Sequence, residues 1–323
     1  MTSKMSVAVA CAAALALSMP AVSAEERSPY SGVVVFGTSL SDSGNAFALR
    51  GGTNTPPDYD VDGLLIPGIP YARGGHHFTN GATWIEQLAR SMGLSASVQP
   101  AYRSNGAKAT NYAVGSARAR DEGAFVNLDD QVAAFLADHG PTVPSDALYV
   151  IEMGSNDIRD ALVAYQTGGP TAAGLVIQQA ITSIAQNIQL LYQHGARHFL
   201  VWMPPNVGLT PAIRQLAEAN PLVLQLATGL TVNFNTALAG VLTSLSGLPG
   251  VTIARLDAYS LLNQISSNPG AYGLTNVTQA CITPDQAPYV CDGPDDYLFW
   301  DGIHPTRAAH AITAHEAARL LGR

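Results

Sequence analysis

Four short segments of this chain hold groups that could move protons or steady a developing charge. In Phe36-Gly37-Thr38-Ser39-Leu40-Ser41-Asp42-Ser43-Gly44-Asn45, Ser39 comes directly after an apolar run. At such a strand-to-turn junction a hydroxyl can stand free, and its own N–H can face a bound oxyanion. Near the other end, Asp301-Gly302-Ile303-His304-Pro305 sets a carboxylate three residues before an imidazole, so one turn can present both to the same side. Pro305 disfavours helix at His304 and so places it ahead of the last helix. A serine becomes a nucleophile when a base lies within hydrogen-bond reach and a third group orients that base. Ser39, His304 and Asp301 are of those three types. Gly154-Ser155-Asn156-Asp157 follows the strongest strand candidate, and the Asn156 amide there can donate to an oxyanion. Asn111-Tyr112-Ala113-Val114-Gly115-Ser116-Ala117 also ends a strand candidate, where the N–H of Gly115 or of Ser116 can complete such a site. The chemistry these groups could perform together is acyl transfer.

Each segment has a plainer reading. Gly-Thr-Ser clusters make turns, Asn-Asp caps helices, and Asp-x-x-His occurs in surface turns. Ser41 and Ser43 compete with Ser39 but fall deeper into a helix start, where serine mainly caps. His76 and His77 lie in a glycine-rich stretch that could touch a substrate, although surface roles suit them better. His310 and His315 fall on the final helix and read as ordinary residues. What favours chemistry is the common position of the four segments at strand exits.

The elements that must position them alternate along the chain. Residues 32–36 (GVVVF), 111–114, 147–153 (ALYVIEM), 198–203 (HFLVWM) and 251–256 (VTIARL) read as strands. Residues 83–92, 128–136, 171–192, 221–242 and 306–321 carry helical spacing. Strand–helix alternation over this length implies parallel pairing with helices on both faces, a doubly wound α/β sheet. Residues 51–81 and 268–297 break the alternation and read as loops. In such sheets ligands bind beyond the C-terminal strand ends.

The chain has 323 residues and a formal charge of −8, which argues against nucleic acid and against charge-driven binding to anionic lipid. Lys4, an apolar run over residues 5–19, and Val22-Ser23-Ala24 form an export signal, leaving residues 25–323 as one domain. No other stretch is expected to be long and apolar enough to cross a membrane. Cys281 and Cys291 then remain, and an exported pair at that spacing reads first as a disulfide. Half of a metal site is the rival, disfavoured because no histidine lies between or beside them. No P-loop or dinucleotide glycine pattern occurs, and no cofactor or metal is expected. Ser39 also lacks the G-x-S-x-G elbow of α/β-hydrolases.

Together the four blocks resemble the GDSL, or SGNH, hydrolases, esterases and lipases of flavodoxin-like three-layer α/β/α fold. Phe78-Thr79-Asn80-Gly81, residues 268–276 and Tyr297-Leu298-Phe299-Trp300 extend the likeness toward a bacterial phospholipase/lecithinase-like branch. Thr38 stands where that family usually has aspartate, and Gly115-Ser116 where it often has two glycines. The resemblance implies a Ser39–His304–Asp301 acyl-enzyme mechanism and an oxyanion hole from Ser39, Gly115 or Ser116, and Asn156. A secreted or periplasmic monomer acting on a small-molecule or lipid ester is expected. A carbohydrate acetylesterase with the same site, and a non-catalytic exported binding protein on the same scaffold, are the alternatives.

Overall fold

The computed structural model describes residues 28–54, 61–71, 75–103, 109–284 and 286–323. The expected export signal, residues 1–24, lies outside them. Four apolar runs form parallel strands: β1 (Val33–Gly37), β2 (Leu148–Glu152), β3 (His198–Met203) and β4 (Thr252–Asp257), paired in the order β1-β2-β3-β4. Their Val, Ile and Leu content suits a sheet covered on both faces. Alternation sorts the side chains into two cores. Val34, Phe36, Tyr149, Ile151, Phe199 and Val201 join one, together with residues of α3 (Leu128–His139), α4 (Ser155–Gln193) and α6 (Leu222–Leu245). Val33, Val35, Leu148, Val150, Leu200 and Trp202 join the other, with α2 (Trp84–Ser91) and α8 (Arg307–Leu320). This is the three-layer α/β/α arrangement anticipated from the alternation.

Residues 111–114 run along the outer edge of β1 without becoming a full strand. Val35 N–H donates to Thr110 (2.9 Å), Tyr112 N–H to Val35 (2.8 Å) and Val114 N–H to Gly37 (3.1 Å). Asn111 instead spends its side chain on the Ser41 carbonyl (2.8 Å) and the Ala113 N–H (3.0 Å). Counting this segment second in chain order gives the flavodoxin-like order 2-1-3-4-5.

Other boundaries depart from expectation. The helix expected over residues 171–192 is longer: α4 already begins at Ser155 and bends at Gly169, whose φ is 65°. Ile158, Ala161 and Leu162 bury in the first core and hold the earlier turns helical. Helices α1 (Asn45–Leu49), α5 (Pro211–Ala219) and α7 (Ala258–Ser267) are additional. The stretch 268–297, expected as loop, contains β5 (Asn276–Ala280) and leads into β6 (Tyr297–Phe299), a small parallel ladder. Helix α6, contrary to the sequence reading, is long and apolar enough to cross a membrane by length and composition. Here it buries Leu230, Phe234, Leu238 and Leu242 in the core instead. Cys281 and Cys291 are joined in a disulfide.

Candidate active site

The end of β1 and the start of α8 converge at the C-terminal edge of the sheet. His304 Nε2 lies 2.9 Å from Ser39 Oγ, across 265 residues of sequence, and His304 Nδ1 lies 2.7 Å from Asp301 Oδ2. Asp301 is fully buried, and its Oδ1 accepts the N–H of Ile303 (2.9 Å) and of His304 (2.7 Å). Tyr71, equally buried, donates its hydroxyl to Oδ2 at 2.8 Å. These contacts make Nδ1 the donor to Asp301 and leave the Nε2 lone pair facing the Ser39 hydroxyl. Gly302 locks this turn in place. Its N–H donates to Leu65 (2.8 Å), and a Cβ there would run into the Leu64 carbonyl.

The glycine block is stitched to the serine block by buried hydrogen bonds. Asp42 accepts the N–H groups of Gly44 (2.7 Å), Asn45 (2.6 Å) and Ala46 (3.0 Å), and that of Gly115 (2.8 Å). Burial nonetheless pushes the Asp42 carboxyl up from its ordinary value. Asn45 in turn donates to the carbonyls of Asn111 and Ala113, both at 2.8 Å. The Gly115 N–H is therefore committed to Asp42, and a Cβ on Gly115 would strike the Phe78 ring. Phe78 itself packs beside the His304 imidazole, ring centroids 5.4 Å apart. Ser116 follows with a φ of 71°. Among the described residues no acceptor takes its N–H, nor that of Ser39. Asn156 donates one amide hydrogen to the Ala117 carbonyl (2.9 Å), and among the described residues no acceptor takes the other. Ser39, Asn156 and His304 line one cleft, with Arg159 and Thr210 on its wall.

The rival serines are structural. Ser41 Oγ donates to Glu152 (3.1 Å) and accepts the Trp84 indole N–H (3.0 Å), and Ser43 Oγ accepts from Asn111 (2.9 Å). His77 is not a surface residue: it is buried and lies 3.0 Å from Glu86, which caps α2. His76, partly buried, stacks on Phe47 at 3.7 Å. His310 is buried as well, accepts the Trp84 N–H at Nδ1 (3.2 Å), and is pushed down to about 3 by burial, hence neutral.

The GDSL-like Lipase/Acylhydrolase family matches this sequence over residues 33–317. The chain belongs to that family. GDSL relatives include two GDSL esterase/lipases of Arabidopsis thaliana, one 26% identical over 86% of this chain and 85% of its own length. The other is 29% identical over 87% and 85%. Among solved structures, an acetyl xylan esterase from Geobacillus stearothermophilus aligns over 93% of this chain and 97% of its own, at TM-score 0.47 and 14% identity. Membership of the GDSL family makes the chain a carboxylic-ester hydrolase in general.

One feature sets this GDSL chain apart from the pattern of its name. Where aspartate usually precedes the serine, Thr38 stands, and the carboxylate comes from Glu152 at the end of β2. Glu152 accepts the Thr38 N–H (2.9 Å), the Thr38 hydroxyl (3.0 Å) and the Ser41 hydroxyl (3.1 Å). Gly37, its partner in the β1–β2 register, leaves room: a Cβ there would lie 3.0 Å from Glu152 Oε2. Burial pushes Glu152 up to about 7 against those three donors. The sequence offered one signal for it, a carboxylate closing an otherwise apolar strand. Tyr71 carried no such mark, and Phe78 only the family likeness of its segment.

Proposed function

We propose that this chain is an exported serine esterase or lipase that hydrolyses carboxylic esters of acyl lipids or simple alcohols through an acyl-enzyme on Ser39. The observation that carries the reading is the unbroken contact from Ser39 through His304 to Asp301, in a cleft that Asn156 also lines. In this reading His304 Nε2 takes the Ser39 proton as Oγ attacks the ester carbonyl. Asp301, held by Tyr71 and two backbone N–H groups, stabilises the imidazolium that forms. The oxyanion is met by the N–H of Ser39, the N–H of Ser116 and the second Asn156 amide hydrogen. Ser116 takes this part rather than Gly115, whose N–H is held by Asp42. The imidazolium then protonates the leaving alcohol, and water repeats the sequence on the acyl-enzyme.

An apolar pocket adjoining the cleft favours acyl chains over acetylated carbohydrate. It shares Leu40, Pro205, Thr210 and Ile303 with the cleft and continues to Leu262 and Ile265. Export is supported by the signal pattern of residues 1–24 and by the disulfide. The reading is tested with a fluorophosphonate probe on folded protein and p-nitrophenyl esters of graded chain length. Labelling at Ser39, abolished in Ser39→Ala, is expected, with longer acyl chains preferred to acetate. An unlabelled Ser39 in folded, wild-type protein would overturn it in favour of a non-catalytic binding role.

A further inference from the structure

The cleft beside Ser39 contains a cation that the acyl-transfer steps do not use. Arg159 lies four residues after Ser155, so both face the same side of α4, and both line the cleft with Ser39 and His304. Among the described residues, no carboxylate or other acceptor holds the Arg159 guanidinium. The neighbouring arginines differ in this respect. Arg118 and Arg120 both hold Asp160, at 2.9 and 2.7 Å, and Arg120 also holds Asp157 at 3.0 Å. The carboxylates whose charge reaches Arg159 are Asp160, Asp62 and Asp301. Asp160 is spent on those two arginines, and Asp62 on the N–H groups of Leu64 (2.8 Å) and Ile66 (2.9 Å). Asp301 is spent on His304 and Tyr71.

A partly buried cation without a counter-ion is unfavourable, since it has lost water without gaining a partner. Burial and the like charge of Arg118 push the Arg159 pKa down, yet a guanidinium stays charged at neutral pH. The positive end of α4, one turn away, adds to the same field. A second group there is also unsatisfied, for the Ser155 hydroxyl is buried and has no hydrogen-bond partner among the described residues. The fork of a guanidinium matches two oxygens of a phosphate or carboxylate.

We infer that Arg159 binds an anionic group, a phosphate or a carboxylate, carried by the ester substrate close to its scissile bond, and thereby favours acidic esters over neutral ones. The inference rests on the serine-hydrolase reading above and names the substrate class for that site. It assigns Arg159 to specificity and leaves proton transfer to His304.

The test compares two matched pairs of soluble esters in wild type, Arg159→Leu and Arg159→Lys, each checked for unchanged thermal unfolding. Dihexanoylglycerol against dihexanoylglycerol 3-phosphate places a phosphate on the alcohol side. p-Nitrophenyl butyrate against mono-p-nitrophenyl glutarate places a carboxylate on the acyl side. In wild type the acidic member of at least one pair is expected to have the higher kcat/KM, and the pair that shows it identifies phosphate or carboxylate. The acidic-to-neutral ratio is expected to fall roughly 10- to 100-fold in Arg159→Leu, to recover in part in Arg159→Lys, and to shrink as salt is added. A ratio unchanged by Arg159→Leu, including an equal loss on both members, would overturn the inference while leaving the esterase reading intact. Hydrolysis of none of the four esters by wild type would instead overturn the esterase reading.

Discussion

Glu152 should give this protein a stability that falls as pH rises, and Glu152→Gln should remove that slope. The carboxyl is fully buried behind Thr38, and burial lifts it from an ordinary 4.5 to about 7. Between those two values the folded protein still holds the Glu152 proton while the unfolded chain has released it. The folded state therefore binds more protons, and unfolding free energy declines with pH. The contribution is fully present below pH 4.5 and is lost as pH approaches 7. Each pKa unit corresponds to about 1.4 kcal/mol, so the whole interval is worth about 3 kcal/mol. The amide introduced by Glu152→Gln keeps an acceptor for the Thr38 N–H and carries no charge to bury. At low pH the variant should resemble the protonated wild type, and at pH 8 it should be the more stable of the two by about 3 kcal/mol.

Urea unfolding of both proteins from pH 4.5 to 8.5 measures this difference directly. Asp42 and Asp157 are also pushed up by burial, while Glu86 and Asp160 are held down, so wild-type stability alone mixes opposing slopes. Subtracting the variant isolates Glu152. A wild-type-minus-variant difference that stays flat within about 0.5 kcal/mol over that range would refute the reasoning, because the carboxylate would then be as well solvated folded as unfolded.

The remaining predictions concern the site and its supports. Asn156→Ala should fold normally yet lose about 100- to 1,000-fold in kcat, as expected for one oxyanion donor; a kcat within twofold of wild type would remove Asn156 from that role. Gly115→Ala should cost about 1–3 kcal/mol in urea unfolding, because its Cβ meets the Phe78 ring, and Phe78→Leu in the same chain should restore part of the loss. Cys281→Ser with Cys291→Ser should lower stability by about 3 kcal/mol, the value for a closed loop of this length, and wild type under reductant should show the same shift.

The contrast between what was legible and what was not follows from where each group finds its partners. Ser39 and Asn156 announce themselves within four or five residues, because strand exits are marked by the switch from apolar run to glycine, and the Asp301–His304 pair by its own three-residue spacing. Doubly wound topology then guarantees that such exits meet at one edge of the sheet. The choice between Gly115 and Ser116 could not be read that way. It turns on whether a backbone N–H is already taken, and the acceptor, Asp42, lies 73 residues away. Tyr71 and Asp301 are 230 residues apart, and Glu152 and Thr38 are 114 apart. None of these partners is implied by local spacing. Arg159 is the sharpest case. A charged residue one turn into a helix reads as an ordinary solvated side chain, and what singles it out is that every nearby carboxylate belongs to another group. That is a property of the assembled site, and an acidic substrate is the partner chemistry that would complete it.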